Sequence, residues 1–176
     1  LYNNTEGHGN VAIGCVAMGA NTTGEYNVGI GYRALDANTT ADRNVAVGNQ
    51  ALTASTTGTN LVAIGCGALV ANTTGSNNTA LGFCANATST DRNDNTAIGF
   101  CSLKVNAATG NTAVGAYSAD SNTSATGITA VGNRALCSNT TGANNTAMGM
   151  CSLLANTTGA DNTATGVEAL KANTTG

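Results

Sequence analysis

Ten copies of one phrase fill this chain, and the spacing between them limits the folds open to it more than any other feature. Counted from the Asn, or its replacement, that opens an N-V/T-A-x-G block, the copies start at Asn10, Asn27, Asn44, Leu61, Asn78, Asn95, Asn111, Ile128, Asn145 and Asn162. The step is 17 residues throughout, except from Asn95 to Asn111, where it is 16. A fixed short period marks one structural unit stacked on itself, each unit burying its neighbour's face. A helical pair needs about twice this length, and Gly, Asn and Thr are poor helix formers. The spacing therefore predicts an all-β chain: a parallel β-solenoid, one coil per copy, in a single array over residues 1–176. Coils spaced at roughly 4.8 Å would build a rod of about 50 Å.

Numbering each copy from its opening Asn, place two is Val or Thr, and place four is aliphatic or Met in nine of ten copies, from Ile13 to Met148. That alternation is the period of a strand. Place three is Ala except at Gly29, and place five is Gly in every copy. An unvarying Gly implies a bend with positive φ, or a backbone that another backbone approaches closely. Place nine is apolar again (Met18, Leu35, Leu52, Leu69, Leu103, Leu136, Leu153, Leu170), and Asn-Thr-Thr-Gly then supplies turn residues. The copy reads as strand, bend, strand, turn, with places four and nine inside as aliphatic ladders and the Asn places forming amide ladders. The nearly bare face at places three and five is then expected outside, packing against sister chains in a homo-oligomer, most simply a parallel trimer. The missing residue predicts a shortened turn near Ala107–Gly110.

Composition agrees with narrow layers. With no Pro or Trp, 9% charged and 3% aromatic residues, the chain cannot build a thick globular core. A net charge of -3, carried by scattered side chains, argues against a nucleic-acid groove. No apolar run is long enough to span a bilayer as a helix, so membrane insertion is not expected, and no signal peptide is visible. Leu1 stands at the place of Leu35, inside the repeat, which predicts an interior slice of a longer fibre.

The phrase N-T-A-x-G-x-x-A-L-x-x-N-T-T-G at Asn145–Gly159 and Asn162–Gly176 resembles repeats of phage tail fibres and large bacterial surface proteins. Its N-V-A-I-G part, at Asn10–Gly14, is similar to the head repeats of trimeric autotransporter adhesins, the YadA-like heads. The resemblance implies a left-handed parallel β-roll, a homotrimer or filament, and attachment to surfaces. The adhesin head coil is shorter than this one.

Several residues invite a chemical reading. Cys84 and Cys101 share place seven in adjacent coils, within disulfide range if the register holds; Cys15 and Cys66 share place six but lie about 14 Å apart. No C-x-x-C exists, and the single His, His8, completes no zinc set. Asn21, Asn38, Asn72, Asn139, Asn156 and Asn173 stand in glycosylation sequons built into the repeat, where turn chemistry explains them equally well. Asp91 and Asp94 bring two carboxylates into the most polar turn and are the weak candidates for a cation such as Ca²⁺, against a solvated turn with an internal ion pair. The isolated acids suggest no catalytic pair, so neither an active site nor a cofactor is expected.

The leading function is therefore a structural shaft of an extracellular, cell-surface or virion fibre, with adhesion to a host-surface receptor or glycan as its extension. Two alternatives compete with it. One is an ice- or crystal-binding solenoid using the Thr rows at places thirteen and fourteen. The other is the scaffold of a polysaccharide-cleaving tailspike with its active site elsewhere. If any ligand contact exists, the irregular stretch from Phe83 to Gly110 is the expected place.

Overall fold

The computed structural model describes all residues, Leu1–Gly176, as an all-β parallel solenoid with one coil per repeat. Each copy contributes one three-residue strand: β1 (Val11–Ile13), β2 (Val28–Ile30), β3 (Val45–Val47), β4 (Val62–Ile64), β5 (Thr79–Leu81), β6 (Thr96–Ile98), β7 (Thr112–Val114), β8 (Thr129–Val131), β9 (Thr146–Met148) and β10 (Thr163–Thr165). They form one sheet in sequence order, and equivalent residues pair throughout, as in Val45↔Val62 and Ile64↔Leu81. The strands hold only 18 of the 109 backbone hydrogen bonds. The rest of the coil is therefore laddered too: Leu35 N–H donates to Ala51 O at 3.1 Å, and Thr56 N–H to Thr73 O at 2.9 Å.

The alternation along each strand has the opposite phase to the one expected. The middle residue points inward: Ala46, Ala63, Ala80, Ala97, Ala113, Ala130 and Ala147 are fully buried. Place four points outward, with Ile13 58%, Ile64 37%, Leu81 44% and Met148 46% exposed. Place nine is inside as expected, from Met18 and Leu35 to Leu153, all fully buried. The cause is the narrow interior. Leu from place nine fills it, leaving room for only a methyl group from the strand opposite. Gly29 shows how tight the fit is: it faces the longer Met18, and a Cβ there would lie 2.8 Å from Met18 Cγ. The Ala row of place three is thus core and cannot be the contact between chains, while the place-five glycines, at the bend, are half-buried or exposed.

Backbone conformation explains more of the composition. The place-five glycines sit at φ between 124° and 138°, a region essentially closed to other residues. Place nine lies in the left-handed region, as at Leu35 (53°) and Leu103 (46°), which suits Leu and Met, unbranched at Cβ, better than Ile or Val. The place before each opening Asn is also left-handed, and eight of its ten occupants are Gly, Asn or Asp: Gly9, Asn60, Asn77, Asp94, Gly110, Gly127, Asn144 and Asp161.

Two buried amide ladders close the coils. At place one, Oδ1 of Asn27 accepts from the Asn44 N–H at 2.9 Å, while Asn27 Nδ2 donates to Ala41 O at 2.8 Å across its own coil. Leu61 and Ile128 interrupt this ladder with apolar core residues. At place twelve, Asn38 Nδ2 donates to Asn21 Oδ1 at 2.7 Å and Asn156 Nδ2 to Asn139 Oδ1 at 2.8 Å. Ser55 and Ser89 are too short to continue it, so Asn38 Oδ1, Asn72 Oδ1 and both serine hydroxyls are buried without partners. Ser55→Asn should repair one break and raise stability by about 1 kcal/mol, a rise of roughly 2–4 °C in Tm by thermal melting. An unchanged or lower Tm would mean that the break costs nothing.

The 16-residue coil loses its residue between Asn106 and Ala108. Asn106 Nδ2 reaches Ala108 O after two residues (3.1 Å), where Asn122 Nδ2 spans three to Ala125 O (3.0 Å). The register recovers at once, since Thr96 pairs with Thr112.

Candidate functional site

The strand phase puts places two and four outside, and place six, just past the glycine bend, is exposed or half-buried beside them, so three rows of outward side chains run along the rod. Ten rungs at about 4.8 Å make this face roughly 48 Å long; the three strand residues span about 7 Å of its width, and place six adds a further row beyond the glycine bend. No charged residue occupies any of these places. Most of the large exposed apolar side chains collect here, including Ile13, Tyr32, Ile64, Leu81, Phe83, Phe100, Met148 and Met150. A ridge runs along one edge. Phe83 stacks on Phe100 with centroids 5.3 Å apart and planes at 11°, Phe100 meets Tyr117 edge-on at 5.2 Å, and the Arg134 guanidinium lies 5.8 Å from the Tyr117 centroid. Register alone aligns these rings, because places six and seven repeat in every coil.

The face changes character half-way. Val11, Val28, Val45 and Val62 occupy place two in the first four coils, and Thr79, Thr96, Thr112, Thr129, Thr146 and Thr163 in the last six. These Thr residues are directly paired along the sheet. At place thirteen, by contrast, the hydroxyls are spent inside the coil ladder: Thr22 Oγ1 donates to Thr39 O at 3.0 Å and Thr140 Oγ1 to Thr157 O at 2.9 Å.

The other candidate residues are dispersed. Asp91 pairs with its neighbour Arg92 at 3.3 Å and accepts from Thr90 Oγ1 at 3.1 Å; Asp94 accepts from Asn77 Nδ2 at 3.1 Å in the preceding coil. No three His, Cys, Asp or Glu side chains converge to hold a metal ion. Of the sequon residues, Asn21, Asn38, Asn72, Asn139 and Asn156 are fully buried, with each Nδ2 bonded, as Asn72 Nδ2 is to Gly75 O at 3.0 Å. Asn173 Nδ2 donates to Asn156 Oδ1 at 3.2 Å. A glycan at any of these six positions would require the amide to give up its present hydrogen bond. All six cysteines are free thiols, Cys84 and Cys101 included; burial pushes both thiols up, opposed by the nearby Lys104. Burial likewise raises the Asp120 carboxyl, again opposed by Lys104.

One cluster escaped the reading of single motifs. His8 Nδ1 lies 3.1 Å from Glu25 Oε1, and its Nε2 lies 3.3 Å from the Tyr26 hydroxyl. His8 and Glu25 are 17 residues apart, so the repeat period held the signal. The cluster stands on an open surface, with the His8 side chain 62% exposed. No helix is long and apolar enough to cross a membrane.

Comparison with family models, curated proteins and solved structures found no match to any of the three. What stands is a repetitive β-solenoid with coils of about 17 residues.

Proposed function

We propose that this chain is part of the structural shaft of an extracellular, cell-surface or virion fibre, self-associating through the outward face of its sheet. The single observation behind this reading is that uncharged face, apolar over most of its places and repeated on every rung. Monomers rarely leave a contiguous apolar patch of several hundred Å² in water. The strand part of the face alone covers about 340 Å² per chain, and the place-six row extends it, a size at which exposed apolar patches mark interaction sites. A sister chain matches its rung spacing at every step, and three copies around an axis is the arrangement proposed. The resemblance to fibre and adhesin repeats supports the same reading. Attachment to a receptor or surface glycan would be carried mechanically by the rod, with no catalysis in this segment.

Sedimentation tests the proposal. The full chain should sediment as an oligomer at micromolar concentration. The Ile64→Lys, Leu81→Lys double variant should weaken association about a hundredfold or more by leaving charges buried in the contact. Its circular dichroism should be unchanged. A wild-type monomer would overturn the reading.

A second reading has one specific observation in its favour. The six aligned Thr residues of β5–β10, alternating with outward aliphatic side chains over most of their length, form a rigid hydroxyl array suited to an ordered water or crystal lattice. Ice binding would therefore use place two rather than the spent hydroxyls of place thirteen. Inhibition of ice recrystallisation by wild type, lost in Thr112→Lys, would favour it over the shaft.

A further inference from the structure

We propose that Cys84 and Cys101 are the two halves of an oxidative staple joining the fifth and sixth coils. The geometry starts from the ladder: Cys84 N–H donates to Cys66 O at 3.0 Å and Cys101 N–H to Phe83 O at 2.9 Å, so the two cysteines occupy equivalent places one rung apart. Their backbones share a conformation, with φ of 51° and 52°. Rung spacing sets their Cα atoms about 4.8 Å apart, inside the range that disulfides span. A contact of the Cys84 thiol shows which side chain must turn. At Gly67, one rung before Cys84 at the same place, an added Cβ would lie 3.3 Å from Cys84 Sγ. In that rotamer a thiol at place seven is directed at the preceding rung, which would aim Cys101 at Cys84 but aims Cys84 at Gly67, so closing the bond requires Cys84 to swing its Sγ about χ1 toward the following rung.

The position of the pair gives the staple a purpose. The fifth and sixth coils are the irregular ones: Asn86 takes the core place of Leu and leaves Nδ2 unbonded, Ser89 breaks the amide ladder, and the turn is cut short at Asn106–Ala108. A bond between places seven of these coils would tie the two together two residues from the Asn86 defect.

The chemistry requires an oxidant, here a small-molecule disulfide such as oxidised glutathione. The Cys84 thiolate attacks one of its sulfurs and releases a small thiolate, giving a mixed disulfide. The Cys101 thiolate then attacks Cys84 Sγ and expels the second small thiolate. Two protein thiols are oxidised, one small disulfide is reduced, and the two protons lost by the cysteines end on the two small thiols. Because Cys84 is half-buried and Cys101 buried, and burial raises both thiols, the reaction should be slow at neutral pH and accelerate as pH rises.

The test treats the full chain with oxidised glutathione, blocks remaining thiols by alkylation, and maps linked peptides by mass spectrometry. The expected product is an intrachain Cys84–Cys101 link, formed equally in Cys66→Ser and absent in Cys101→Ser. It should raise Tm by roughly 5–10 °C, reversed by reductant. A Cys66–Cys84 link, bonds only between chains, or two thiols that stay fully alkylated would each overturn the proposal. Cys101→Ser melting like reduced wild type is also required, so that the gain belongs to the bond and not to the side chain.

Discussion

Gly48→Ala is expected to cost about 4 kcal/mol or more, enough to unfold the middle of the rod. Two penalties fall on one methyl group. At φ 136° the backbone is in a region essentially reserved for glycine, and the new Cβ would lie 2.7 Å from both C and O of Gly65 on the next rung. Neither obstacle can rotate away, because both belong to a hydrogen-bonded backbone. Chemical denaturation followed by circular dichroism gives the magnitude, and hydrogen exchange should place the damage in the coils around β3 and β4. Gly110→Ala is the control: its φ is 70° and nothing lies within 4 Å, so only about 1 kcal/mol should be lost. Equal losses at the two sites would show that stacking contact is not what excludes a side chain at place five.

Asn44→Ala should be the next most damaging, at about 2–5 kcal/mol. Asn44 Oδ1 accepts from the Leu61 N–H at 2.9 Å, and Nδ2 donates to Gly58 O at 2.8 Å, both in the interior. Truncation leaves two backbone groups without these partners and opens a void. Asn44→Leu separates the effects, since the chain itself places Leu61 and Ile128 at this step of the ladder. Leu refills the volume, so it should recover part of the loss but not all. Equilibrium unfolding of the three proteins decides this, and an Asn44→Ala variant as stable as wild type would make the ladder decorative.

Much of this architecture was legible in the sequence because it follows from the period. The coil length, the in-register ladders, the buried Leu of place nine, the glycine bend and the shortened turn all come from lining up equal places. The phase of the strand was not legible. Alternation says that Ala63 and Ile64 face opposite ways but not which faces the core. Hydrophobicity alone pointed to Ile64, whereas the width of the coil, fixed by Leu at place nine, admits only Ala63. That inversion moved the candidate surface from the glycine-alanine side to the Ile, Val and aromatic side. The sequons failed differently: Asn21 and its equivalents look like exposed acceptors only until the turn folds their amides inward. The His8–Glu25 contact was recoverable from the 17-residue spacing, yet neither residue belongs to a motif that would prompt the comparison.

The coil also fixes how economically this chain converts residues into reach. Seventeen residues advance the rod by about 4.8 Å, or roughly 0.3 Å per residue, against about 1.5 Å for an α-helix. The same 176 residues drawn out as a single helix would extend about 260 Å, more than five times as far. If distance alone were required, a coiled coil would serve with far less protein. What the extra mass provides is girth and a patterned flank, in which each added copy lengthens the outward face by one strip of the same geometry. Selection on such a molecule would therefore act on how much patterned flank it presents.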